Sequence, residues 1–193
     1  TQNNPYKTLS KAWTVCADGD VIKIKPGGTL SAATYNSRND VIVWCDTSAA
    51  PVTLSGTHTF NGSGIVLDGA AVTGQARFPT GYSYAVARNL SGTGELALYN
   101  AYGLAEHCGL YNFYVAGSGT EFVLIRRCSG RLLQHTGARS LTVQSCTFRN
   151  SGTGQIERSP GTGTLTVLDT IMERLFIDEY LGPETNYLGN RND

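Results

Sequence analysis

The sequence predicts an all-β chain wound as a right-handed parallel β-helix, with a short N-terminal α-helix as a cap and a C-terminal tail outside the repeat. Three observations predict it. Short apolar-x-apolar segments recur at Ile22/Ile24, Val52/Leu54, Ile65/Leu67, Leu96/Leu98 and Val123/Ile125, and a two-residue alternation marks a strand with one buried side. The segments superimpose: Ser140-Leu141-Thr142-Val143-Gln144 lies over Thr164-Leu165-Thr166-Val167-Leu168 at a spacing of 24 residues, the length of one solenoid coil. Each segment is followed within a few positions by Gly, Asn, Asp or Ser, so turn follows strand with no helix between.

Taking Ile22, Val41, Ile65, Leu96, Val123, Leu141 and Leu165 as successive coils gives steps of 19, 24, 31, 27, 18 and 24 residues. Strands that repeat in one direction without crossover helices bury their inward side chains by stacking coil on coil; an antiparallel sandwich is the second arrangement such strands allow. Leu67-Asp68-Gly69-Ala70-Ala71-Val72 also aligns with Val143-Gln144-Ser145-Cys146-Thr147-Phe148 and Val167-Leu168-Asp169-Thr170-Ile171-Met172. The chain therefore bends after one strand and begins another.

At the N-terminus the period changes. Leu9, Ala12, Trp13 and Cys16 form a single helical stripe behind Thr8, a residue suited to capping, so a helix is expected over about 8–16. An open coil end exposes core and unpaired strand groups, and an amphipathic helix laid across it plugs both. The repeat is expected to span residues 1–174, and 175–193 to form a tail that caps the last coil or docks on another subunit.

Composition narrows the class. The chain has 193 residues, enough for one domain or one elongated array, with 23 glycines and only 16% charged residues. A formal net charge of +0 removes the general attraction expected of a nucleic-acid or anionic-membrane binder. No apolar run approaches the roughly 20 residues of a membrane span, and the first residues lack a signal-peptide pattern, so the chain reads as soluble. The five cysteines, Cys16, Cys45, Cys108, Cys128 and Cys146, include no CxxC pair and are odd in number. Reduced, buried thiols are the reading that fits.

Asn4-Pro5-Tyr6-Lys7-Thr8-Leu9, then Asp18-Gly19-Asp20-Val21-Ile22-Lys23-Ile24 and Pro26-Gly27, resembles the opening of pectin-lyase-like right-handed β-helices. There a helix cap leads into a first strand and a Pro-Gly turn. The resemblance covers roughly 30 residues and implies fold more than activity. Enzymes of that superfamily include polysaccharide lyases and glycosidases, the lyases pairing calcium-binding carboxylates with an Arg or Lys base. Asp68, Glu95, Glu121, Asp169 and Glu173 are acids here but form no tight cluster in sequence, so no catalytic residue and no metal ligand is assigned, and no cofactor is expected.

Among the other chemistry-bearing residues, Glu106-His107-Cys108 places neighbours on opposite strand faces, which argues against a shared metal. The 20- and 18-residue steps from Cys108 to Cys128 to Cys146 match one coil each, as a core stack would require. Tyr82, Tyr84, Tyr99, Tyr102, Tyr111 and Tyr114 crowd between residues 82 and 114, with Phe113 beside them; aromatics of this kind stack on sugars, anchor interfaces or pack in the core. Arg126, Arg127, Arg131, Arg139, Arg149 and Arg158 form a basic stretch, and the tail is acidic. Tyr99, Tyr102, Arg126, Arg127 and Arg131 are accordingly the candidate binding residues. Phe176, Asp178, Glu179, Tyr180 and Tyr187 are candidate inter-subunit contacts, the acidic tail of one subunit docking on the arginines of another, with an anionic glycan as competing ligand.

With Gly/Thr/Ser/Asn-rich turns and unpaired cysteines, the chain resembles the short β-helical modules of bacteriophage particles. That resemblance implies a non-enzymatic structural, receptor-binding or glycan-binding virion protein, of the tail-spike, fibre or capsid-decoration kind. Its expected partners are its own copies in a homotrimer, other virion proteins or a cell-surface glycan. A carbohydrate-active enzyme and a secreted or cell-surface adhesin module are the alternatives.

Overall fold

A computed structural model describes residues 6–99, 102–117, 122–137, 140–149, 155–158, 163–172, 174–177, 186–188 and 191–192, with side chains through Met172 except those of Gln155 and Arg158. The chain is a parallel β-helix. Its first sheet has nine strands: Val21–Ile24, Ile42–Cys45, Ile65–Asp68, Tyr84–Arg88, Tyr102–Glu106, Phe122–Arg126, Ser140–Gln144, Leu165–Leu168 and Asn186–Leu188. Each pairs with the one before and after it in parallel register. The remaining strands make a second sheet folded over two faces. Ser91–Leu98 and Gly109–Val115 run across its bend, each pairing with shorter separate strands on both sides of it.

Paired inward positions on the first sheet run Ile22, Val43, Leu67, Ala87, Ala105, Ile125, Val143, Val167, with true steps of 21, 24, 20, 18, 20, 18 and 24 residues. Two readings from the sequence change here. Leu96/Leu98 lies on the second sheet, as does Val52/Leu54; the corresponding places on the first sheet are held by Ala85, Ala87, Gly103 and Ala105, all buried. The long step of 31 came from merging two faces. Small residues on one wall leave room for Leu90, Leu96, Leu98 and Phe113, also buried, so the core stays filled.

From the third coil to the eighth, the bend between the two sheets carries one residue in left-handed backbone conformation: Gly69 (φ 82°), Asn89 (54°), His107 (53°), Arg127 (52°), Ser145 (52°) and Asp169 (45°). The N–H of each of the first five donates to a carbonyl of the next coil, as from Asn89 to Glu106 O at 3.1 Å and Ser145 to Leu168 O at 3.0 Å. Only glycine fits at 69, because a Cβ there would stand 2.6 Å from Cys45 O.

The expected cap helix is Leu9–Val15, with the Thr8 side chain accepting the Lys11 N–H at 3.1 Å. Leu9, Trp13 and Cys16 are buried. Trp13 lies 5.3 Å from the Tyr35 ring and 6.0 Å from Phe60, and Phe60 stacks on Phe78 at 5.4 Å, so the plug continues into an internal aromatic column. Within residues 175–193, Asn186–Leu188 and Arg191–Asn192 pair in parallel on Leu165–Leu168 and Ile171–Met172; Arg174–Ile177 pairs on Gln155–Arg158. Asp178, Glu179 and Tyr180 lie outside the described residues, and of Phe176 and Tyr187 only the backbone is described.

Candidate functional site

The most distinctive surface is the outer face of the first sheet. Alternation aims Ile42, Val66, Val86, Leu104 and Leu124 outward in register, yet all five are aliphatic and half-buried. A sheet face turned to water ordinarily carries polar residues at these positions. The column becomes polar at Thr142 and Thr166. On one side of it stand Tyr84, Tyr102 and Phe122, exposed by 44%, 56% and 42%. On the other side the column reads Lys23, Trp44, Asp68, Arg88, Glu106, Arg126 and Gln144.

That second column alternates in charge. Arg88 Nε lies 2.9 Å from Asp68 Oδ2, and Arg126 Nε lies 2.8 Å from Glu106 Oε1. Asn89 adds a hydrogen bond to Asp68 at 2.8 Å. The Arg126 guanidinium beside it holds the Glu106 carboxyl below its usual range, with His107 and Arg127 adding smaller contributions. Lys23 sits 4.4 Å from the Trp44 ring centroid. The arginine side chains are 47% and 41% exposed while those of their carboxylate partners are 11% and 19% exposed, so the arginines form the more accessible part of the column.

The candidate binding residues do not form one site. Tyr102 and Arg126 share the first-sheet face but occupy opposite margins. Arg127 is at the left-handed bend, 4.0 Å from Glu106. Arg131 lies on the second sheet's side, its guanidinium 4.9 Å from the Tyr111 ring and bonded to the Tyr111 hydroxyl. Tyr99 lies at another corner, with Arg77 4.9 Å over its ring and Tyr114 at 5.5 Å; Thr136 donates to the Tyr114 hydroxyl at 3.1 Å. Phe113, counted with the tyrosines by sequence, is in the core. Sequence reasoning missed the aliphatic column because Ile65-Val66-Leu67 and Val123-Leu124-Ile125 read as unbroken apolar runs, which hide which side faces out.

Of the acids singled out in the sequence, Asp68 is held by Arg88 and Asn89, and Asp169 stands at a left-handed bend. Glu95 accepts from Gln75, and Glu157 from Gln134 at 2.8 Å. Glu121 and Glu173 lie outside the described residues. Among the described residues no group of three or more His, Cys, Asp and Glu converges as a metal site. The thiols behave as the 18- and 20-residue steps foretold: Cys108, Cys128 and Cys146 stack in the core, unoxidised. The Cys108 N–H points at Cys128 Sγ at 3.4 Å, that of Cys128 at Cys146 Sγ at 3.5 Å, and that of Cys146 at Thr170 Oγ1 at 3.3 Å. Hydrogen bonding to Cys108 pushes the Cys128 thiol up to about 12, which leaves it a packing group rather than a nucleophile.

His58 is fully buried. Its Nδ1 accepts from the Tyr35 hydroxyl at 2.9 Å, and its Nε2 donates to Leu30 O at 3.1 Å and Ser55 O at 3.2 Å. That arrangement requires the neutral ring, and burial holds its pKa below the ordinary value.

No family model, curated protein or solved structure matches this chain.

Proposed function

We propose that the chain is a rigid, non-catalytic module of a multi-subunit particle, as the resemblance to bacteriophage virion modules implies, and that the outer face of its first sheet is an association surface. The observation that supports this is the registered column of Ile42, Val66, Val86, Leu104 and Leu124 beside Tyr84, Tyr102 and Phe122. Contiguous outward apolar surface of this kind marks interaction sites, and exposed aromatics supply area at little entropic cost. A second reading, capture of a cell-surface glycan, is favoured by the Arg77, Tyr99 and Tyr114 corner, where two rings and a guanidinium stand together.

Incubation with a panel of acidic polysaccharides tests the non-catalytic reading. The expected result is no unsaturated or reducing ends at any enzyme-scale incubation, with retention of a bound glycan weakened by Tyr99→Ala. Turnover of any polysaccharide would overturn it.

A further inference from the structure

We propose that the first sheet's outer face is covered by a second copy of this chain, turned end over end about a two-fold axis that lies along the strands. The inference rests on the reading that this face is an association surface, and it specifies the occupant and its orientation.

The charge order carries it. Down four successive strands the margin reads Asp68, Arg88, Glu106, Arg126. A two-fold axis between the Arg88 and Glu106 strands inverts that order. Asp68 then faces Arg126 of the second copy, and Arg88 faces its Glu106, each contact occurring twice as isologous symmetry requires. Each guanidinium approaches its own carboxylate through Nε and carries further N–H donors at its two terminal nitrogens, which can bridge to the acids opposite.

The neighbouring columns obey the same inversion. Val66 meets Leu124 and Val86 meets Leu104, a smaller side chain against a larger one each time, and Tyr84 meets Tyr102. A three-fold arrangement with parallel axes would instead set this charged margin against a neighbour's aromatic margin, with no charge pairing between columns.

Size agrees. The axis falls between the fourth and fifth of nine strands, so eight strands of each copy overlap. At ~4.8 Å per strand and a strand width of ~15 Å, the covered footprint is on the order of 600 Å² per copy before side-chain relief is added, close to the roughly 800 Å² per partner of a standard stable interface.

Sedimentation equilibrium on the whole chain tests this, with circular dichroism confirming the fold of each variant. The wild type is expected as a dimer, and Leu104→Glu to raise the dissociation constant at least tenfold. Arg88→Glu and Glu106→Arg each place like charges opposite one another twice and are expected to weaken pairing at least tenfold. Their equimolar mixture recovers a heterodimer, because residue 88 of one then meets residue 106 of the other with opposite charge. Should charge reversal unfold the chain, Val66→Cys mixed with Leu124→Cys is expected to cross-link through a short bismaleimide, and neither variant alone. A trimer, a mixture no tighter than its parts, or cross-linking of Val66→Cys with itself overturns the antiparallel pair while leaving the association surface standing. A wild-type chain that stays monomeric at the highest attainable concentration overturns both.

Discussion

Ser145 holds a left-handed backbone at φ 52° on an exposed bend. L-residues other than asparagine, aspartate and glycine adopt that conformation at a cost of about 1 kcal/mol. Ser145→Asn is therefore expected to raise the unfolding free energy by about 0.5–1 kcal/mol, measured by urea denaturation; a loss of stability would show that the serine is held there by more than backbone geometry. His58 makes a pH-dependent contribution. Its folded pKa lies below the ordinary value near 6.5, so the neutral ring's stabilisation is complete above about pH 6.5 and is lost as pH falls toward the folded pKa. Protonation at Nδ1 removes the acceptor that Tyr35 needs. Between about pH 7 and 5 the unfolding free energy of wild type is expected to fall more steeply than that of His58→Gln; equal slopes would contradict the buried network.

The cap helix joins two kinds of structure at the scale of elements. Its stripe was legible because Thr8, Leu9, Trp13 and Cys16 are spaced for a helix, and the aromatic column it closes was not. Tyr35, Phe60 and Phe78 lie 25 and 18 residues apart, and nothing local marks them as stacked. Trp13 also donates its indole N–H to Asn36 O at 3.0 Å, which pins the helix to the first coils. Trp13→Ala removes both the ring contacts and that bond and is expected to cost about 3–5 kcal/mol, read from chemical denaturation. A cost under about 1 kcal/mol would mean that the helix lies on the coil end without sealing it.

The whole molecule shows why the sequence revealed the winding better than the surface. Stacking is a nearest-neighbour property, so each coil announces itself through its own alternation and its own turn. Which columns face outward depends on register between strands about 20 residues apart, and register became hidden wherever inward residues were small, as at Ala85, Ala87, Gly103 and Ala105, or outward ones apolar, as at Val66 and Leu124. The pairing of Arg88 with Asp68 and of Arg126 with Glu106 follows from the same register. For that reason Arg126, read in the sequence as part of a basic stretch, stands in a column of alternating charge, while Arg127 lies at the bend and Arg131 on the second sheet's side.

Register is also what an experiment reaches most directly. Through-space methyl contacts in a selectively labelled protein are expected to run in series from Ile125 to Val143 and from Val143 to Val167, one coil at a time. Contacts that instead joined each strand to the next along the chain, as hairpins do, would contradict the stacked coil and the outer face built on it.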